Sequence, residues 1–224
     1  MKATSCASIC HDGEVDDLAL TVEELRAGML ARRRALPTGV VARHSALVVE
    51  RLRNLPEVET AASVGAYLGV RGEVDLGGLF GPGLPDEAPA GGVVPGRVAL
   101  PVTTPGKALQ FVVPAGPLVE GPFGILQPAI SPEGGDPLDP MDLDVVLVPS
   151  VVVDPRGNRI GHGAGFYDRT FAAVSEARNS GTPGSRIPLL VGVCHDFQVV
   201  ADIEARPWDV PLDLIVTEVG LIRP

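Results

Sequence analysis

Cysteine is scarce: three residues in 224, at positions 6, 10 and 194. That excludes the disulfide framework of a small secreted domain. Cys6 and Cys10 stand near His11, but no further ligand cluster completes a zinc-type set beside them, so this segment reads as a frayed tail. Cys194 closes the apolar run 189–194 and reads as a core residue. No apolar run approaches the roughly 20 residues that span a bilayer. Residues 1–10 hold one lysine but not the apolar core of roughly 7–15 residues that a secretory signal needs. A cytoplasmic protein without a membrane partner is the expectation. Positive charge is also short: 18 Lys and Arg against 28 Asp and Glu leave a formal net charge of −10. This argues against a general nucleic-acid partner, although a local basic cluster can still hold a small polyanion. With 21% charged and 45% apolar residues, the chain as a whole is not disordered. Internal repeats are absent, and no Ser–His–Asp or Cys–His nucleophile arrangement stands out.

What is present centres on residues 144–171. Residues 145–153 form an apolar, β-branched run, as expected of a strand buried on both faces in a parallel sheet. Asp154, Pro155, Gly157 and Asn158 spell a turn. Gly161, Gly163 and Gly165 follow at alternate positions, and Phe166, Thr170, Ala173, Val174 and Ala177 then recur at helical spacing. The reading is strand, turn, glycine loop, helix. Such a loop lets backbone N–H groups approach an anion, and a helix N-terminus behind it adds its dipole. Arg159 and His162 supply charge or hydrogen bonds, and Asp168 suits a metal bound to the anion. The spacing is GxGxG, neither the Walker A form nor the dinucleotide fingerprint. On loop physics alone, phosphate binding and a plain tight connection with glycines at positive φ both remain open.

The rest of the chain alternates helix and strand signals, which predicts an α/β fold. Residues 1–20 read as an unstructured leader. Thr21 and Glu24 form a capping box for a helix with Val22, Leu25, Met29 and Leu36 on one face and Arg26, Arg32, Arg33 and Arg34 as its cations. A second helix is expected over 40–55, stopped by Pro56. A strand is expected over 61–70, followed by Glu73 in a loop and Asp75 as a helix cap. Residues 81–97 and 131–141 read as loops and 180–185 as a linker. Strands are expected over 98–102, 109–113, 187–193 and 214–217. His195, just past the strand 187–193, is a general-base candidate by location alone, at the usual ligand edge of open α/β sheets.

The string VPSVVVDPRGNRIGHGAGFYDR (residues 148–169) resembles the signature of the 5-formyltetrahydrofolate cyclo-ligase family (methenyltetrahydrofolate synthetase). Ser150 replaces the usual glycine and Ile160 the usual leucine. His162 stands where residues vary, and Ala164 where glycine or lysine is common. Leu25-Arg26, the basic run 32–36, residues 67–75, the turn 121–128 and the ending 206–217 are similar to further family segments, with Trp208 in place of a histidine. The resemblance implies a single three-layer α/β/α domain over 21–224 with a mostly parallel sheet. The implied reaction is ATP-dependent closure of 5-formyltetrahydrofolate to 5,10-methenyltetrahydrofolate, with release of ADP and phosphate, through a phosphorylated formyl intermediate. A monomer acting on the folate, with or without a polyglutamate tail, is expected. By the same resemblance ATP contacts Val22, Arg26, Arg159, Ile160, Gly161, His162, Gly163, Ala164, Gly165, Phe166 and Tyr167. Arg159 and Tyr167 are the catalytic residues, Leu68 and Glu73 bind the folate, and Asp168 and Asp209 hold Mg²⁺. A carboxylate such as Glu73 suits a pterin because it accepts from adjacent N–H donors. The alternative is a non-catalytic folate- or nucleotide-binding relative. Val22, where the family often has lysine, and Ala164 favour it.

Overall fold

The computed structural model describes residues 21–80, 96–129, 137–180 and 187–224. The leader with Cys6, Cys10 and His11, most of the loops 81–97 and 131–141, and the linker 181–185 lie outside the described residues. In chain order the elements are α1 (Val22–Arg34), α2 (Thr38–Arg53), α3 (Pro56–Glu59), β1 (Ser63–Gly65), α4 (Gly77–Phe80), β2 (Arg97–Val102), β3 (Gln110–Val112), β4 (Val119–Glu120), β5 (Leu126–Gln127), β6 (Pro137–Leu138), β7 (Val145–Pro149), β8 (Val152–Val153), β9 (Arg159–Ile160), α5 (Phe166–Thr170), α6 (Ala172–Ser180), β10 (Leu189–Val193), β11 (Leu214–Val216) and β12 (Leu221–Ile222).

Eight strands form one sheet in the order β12-β11-β10-β7-β1-β2-β3-β6. The five strands from β11 to β2 are parallel, and β12, β3 and β6 add antiparallel edges. Both faces of the centre are covered. Val145 and Leu147 of β7 point, with Val191 and Val193 of β10, toward Val48 and Leu52 of α2. Val146 and Val148 point to the other side, toward Phe171 and Val174. Period-two alternation between two apolar layers explains the unbroken apolar run in β7, each large side chain contributing about 2 kcal/mol by burial. The architecture is the expected three-layer α/β/α fold. No helix among the described residues is long and apolar enough to cross a membrane.

Thr21 caps α1 as its sequence dictates, with Thr21 Oγ1 accepting from Glu24 N at 3.2 Å and Thr21 N donating back to Glu24 Oε2 at 2.9 Å. Asp75 Oδ1 accepts from Gly77 N at the start of α4. Several boundaries differ from the sequence reading. The run 145–153 is two strands in different sheets. Pro149 lacks a donor, and the chain bends at Ser150–Val151, where Gln198 Nε2 donates to both carbonyls. Val151 and Val152 are buried, but under Leu25 and Met29 of α1, so burial alone hid the break. The helix expected from Phe166 is interrupted at Phe171. Pro56 does not stop α2, which ends at Arg53; it opens α3 at the first helical position, where its missing N–H costs nothing. The strand expected over 61–70 is regular only over β1.

The β8–β9 hairpin is pinned by Asp154. This fully buried carboxylate accepts from Arg156 N, Asn158 N, Asn158 Nδ2 and Ile203 N, at 2.9–3.0 Å. Burial raises its pKa, but the donations from Asn158, Ile203 and Arg156 outweigh it and leave the pKa below the ordinary value. Gly157 turns at φ 87°, and a Cβ there would meet Leu212 O at 2.5 Å. Replacing Asp154 by Ala strands several buried donors and is expected to cost about 3 kcal/mol in urea unfolding at pH 7. Because the folded-state pKa is depressed, the carboxylate's contribution is complete above the unfolded value of about 4 and is lost as pH falls through the folded one. The gap between wild type and Asp154→Ala should therefore narrow below about pH 4.

Candidate active site

Chain order reverses between β1 and β7: β2 lies beyond β1 on one side, and β10 and β11 beyond β7 on the other. The connections leaving the C-terminal ends of β1 and β7 therefore diverge, and open α/β sheets bind ligands at such a switch point. Residues 66–75 leave β1 there. The hairpin and the glycine loop follow β7.

The glycine loop is a wall between two cavities. The larger, of about 430 Å³, is lined by Tyr67, Leu68, Glu73, Phe123, His162, Ala164, Phe166 and Tyr167, among others. The smaller, of about 300 Å³, is lined by Val22, Arg26, Ile160, Gly163, Arg169, Arg206 and Asp209, among others. Arg159, Gly161, Gly165 and Asp168 line both. The structure thus gathers every residue of the expected site but divides the expected nucleotide set. Val22, Arg26, Ile160 and Gly163 face the smaller space only, while His162, Ala164, Phe166 and Tyr167 face the larger only.

Gly163 at φ 96° and Gly165 at φ 63° give the loop a shape that L side chains rarely adopt. Arg26 Nε donates to Gly161 O at 3.0 Å and ties the loop to α1, while its Nη1 pairs with Glu23. The helix behind the loop, α5, has only five residues, so its macrodipole is short. A short helix end of this kind would add little to anion binding, leaving that role to the loop N–H groups and the arginines. Arg159 Nη2 pairs with Asp168 Oδ1 at 2.6 Å. Arg159 Nε is buried without a hydrogen-bond partner, as is Tyr67 Oη; both residues line the larger cavity. A buried unpaired donor is costly, and a polar ligand would relieve it. Asp209 Oδ2 accepts from Arg206 N. Asp168 and Asp209, two hard carboxylates, border the smaller cavity and suit Mg²⁺.

Among the described residues, Arg33 is the largest fully buried side chain. Its Nη2 lies 3.2 Å from Glu73 Oε1, and His162 Nε2 lies 3.0 Å from the same oxygen. Glu73 Oε2 accepts from Val70 N at 3.1 Å. Burial lowers the Arg33 pKa, and Glu73 opposes that shift. Burial, with Glu73 nearby, raises the pKa of Tyr67 and of Tyr167, so both remain neutral phenols at ordinary pH. At the cavity mouth Arg71 and Phe123 both adopt positive φ, and Arg71 Nη2 donates to Phe123 O at 3.2 Å. Phe123, Ile125 and Leu126 of the turn 121–128 supply this wall.

His195 borders neither cavity. It is fully buried, its Nε2 lies 2.9 Å from Gly72 O, and burial lowers its pKa. The general-base reading is corrected accordingly: the ring is held away from both cavities. Sequence reasoning passed over Arg33 and Tyr67 as site residues. A signal existed for Arg33, which follows Val22, Leu25 and Met29 at helical spacing and so falls on the apolar stripe of α1.

Fold and site define an α/β protein with two adjoining cavities at the sheet switch point. The model of the 5-formyltetrahydrofolate cyclo-ligase family matches residues 21–218. Among curated relatives, the 5-formyltetrahydrofolate cyclo-ligase of Escherichia coli strain K12 is 30% identical, over 83% of this chain and 94% of its own. That of Haemophilus influenzae is 32% identical, over 75% and 83%. An NMR structure of Aquifex aeolicus 5,10-methenyltetrahydrofolate synthetase superposes with a TM-score of 0.69 at 31% identity, covering 90% of this chain and 92% of that one. The chain belongs to the 5-formyltetrahydrofolate cyclo-ligase family and is by class a ligase.

The Arg33–Glu73 pair gives a stability test. Glu73→Ala leaves a buried guanidinium without its carboxylate and should cost about 3 kcal/mol in urea unfolding. Glu73→Gln, which retains an acceptor, should cost less. A wild-type midpoint in Glu73→Ala would show that the pair contributes nothing.

Proposed function

We propose that this protein closes 5-formyltetrahydrofolate to 5,10-methenyltetrahydrofolate in an ATP-dependent reaction, with the nucleotide in the smaller cavity and the folate in the larger. The observation that carries this reading is the shared wall: Arg159, Gly161, Gly165 and Asp168 border both spaces. A phosphoryl group entering from one side meets a carbonyl presented from the other.

The chemistry explains why no protein nucleophile is needed. A formamide oxygen does not leave as oxide. Transfer of the terminal phosphoryl group to that oxygen makes an iminium phosphate and releases ADP. The folate's own N10 then attacks the former formyl carbon and gives up its proton to water, and the C–O bond breaks to expel phosphate. What remains for the protein is positioning and charge stabilisation. Arg159, with its unpartnered buried Nε, stabilises charge on the transferring group, and Arg26 and the loop N–H groups hold the phosphates. Asp168 and Asp209 hold Mg²⁺, which supplies charge neutralisation at the phosphates. Tyr167, kept neutral, donates at the junction of the two ligands. Leu68 and Glu73 orient the pterin.

Glu73 already uses about three of its roughly four acceptor sites, on Val70 N, Arg33 and His162. His162 is the exposed partner, at 42% of its side chain, so it swings aside when the pterin donates to the carboxylate.

The direct test follows methenyltetrahydrofolate absorbance with purified protein, 5-formyltetrahydrofolate and Mg·ATP. Turnover that requires both substrates supports the reading; tight binding without turnover favours a non-catalytic relative. Glu73→Gln should weaken folate binding at least about tenfold, the loss of a charge-assisted hydrogen bond, and leave Mg·ATP binding within about twofold. Arg26→Met should give the reverse pattern. Equal loss of both ligands in either variant, measured by calorimetry, contradicts the division of the two cavities.

A further inference from the structure

Away from both cavities, three metal-ligating side chains converge between α2 and the C-terminal ends of β10 and β11. They are His44 of α2, His195 two residues beyond β10 and Glu218 two residues beyond β11. His44 Nδ1 lies 3.0 Å from His195 Nδ1 and 3.1 Å from Glu218 Oε1. We propose that His44 Nδ1, His195 Nδ1 and Glu218 Oε1 bind one d-block divalent cation of the Zn²⁺ type, with a fourth position open to water.

The geometry is close to what such an ion needs. Two ligands at 2.0–2.1 Å from a tetrahedral centre stand about 3.3 Å apart, so the two short separations must open by only a few tenths of an ångström. Without an ion, a proton on His44 Nδ1 bridges the gaps to the other two atoms, and the ion takes that proton's place.

The outer contacts fit ligation. His195 Nε2 donates to Gly72 O at 2.9 Å, which puts the lone pair of the neutral ring on Nδ1, facing His44. Glu218 Oε2 accepts from Asp196 N at 2.9 Å, which turns Oε1 toward the rings. Such outer-shell hydrogen bonds fix the tautomer and orientation of metal ligands. The His195 ring also stacks on Phe197, with centroids 5.5 Å apart and planes within 6°. Access exists, since the His44 and Glu218 side chains are 17% and 11% exposed. Arg33 is a cation that bears on His195, and Glu73 neutralises it.

Two imidazoles and one carboxylate select against Mg²⁺, which prefers oxygen ligands and water. This ion is therefore distinct from any that accompanies the nucleotide. Its binding ties α2, β10 and β11 together and, through His195 and Gly72, steadies the turn that carries Glu73.

The experiment uses the full chain with Cys6→Ser and Cys10→Ser, so that the N-terminal cysteines take no part. After treatment with a chelator and its removal, Co²⁺ is titrated and its visible absorption followed, and Zn²⁺ affinity is measured against a chromophoric chelator. One ion per chain is expected, with four-coordinate Co²⁺ bands and a Tm about 5 °C higher at a hundredfold excess of Zn²⁺ over its Kd. His44→Ala and Glu218→Gln, both at partly exposed positions, should each weaken binding at least about tenfold and remove the Tm rise. No Zn²⁺ uptake by the parent protein in micromolar excess overturns the proposal. So does uptake that is unchanged in both variants.

Discussion

A buried guanidinium facing a buried carboxylate ties together segments that are far apart in sequence. Arg33 comes from the last turn of α1, Glu73 from the turn after β1, and His162, which joins them, from the glycine loop after β7. Neither charge can be left alone in the interior without a penalty of several kcal/mol, so the three segments must arrive together. Once they do, α1 closes over the β8–β9 hairpin, with Leu25 and Met29 packed on Val151 and Val152. The space left beneath α1 becomes the larger cavity.

The second constraint is the reversal of chain order at β1 and β7. Parallel strands send their connections out at the same end, and at a reversal these connections part. The glycine loop runs through the resulting crevice and divides it. Gly161 and Gly165 keep the shared wall thin between Arg159 and Asp168, and a thin wall would suit the proposed transfer of a group from one ligand to the other. On the proposed reaction, positioning would supply most of the catalysis, in keeping with a sequence in which no nucleophile arrangement stands out and with phenols whose pKa values are raised.

Local signals were read well where the interaction is local. The capping box at Thr21 and Glu24, the turn at residues 154–158 and the Asp75 cap each involve residues within four positions of one another. Errors came where a distant partner decides. Burial looks the same whether a β-branched run lies in the main sheet or under α1, so the break at Ser150 was invisible; its cause includes Gln198, 48 residues away. Phe171 interrupts the helix because it is taken into the core beside Phe111 and Val174. His195 stands at the ligand edge of the sheet as its position implies, yet its ring turns toward Gly72 and His44 instead of the cavities.

The sequence by itself determined the alternation of helices and strands, the glycine loop and the identity of the residues around it, because these depend on local propensity, periodicity and motif. Tertiary structure alone decided that the loop separates two spaces, that Arg33 is buried against Glu73, and that His44, His195 and Glu218 meet. Those facts depend on strand order and on ion pairs closed over long stretches of chain, and no local pattern of residues encodes the place where such distant partners come together.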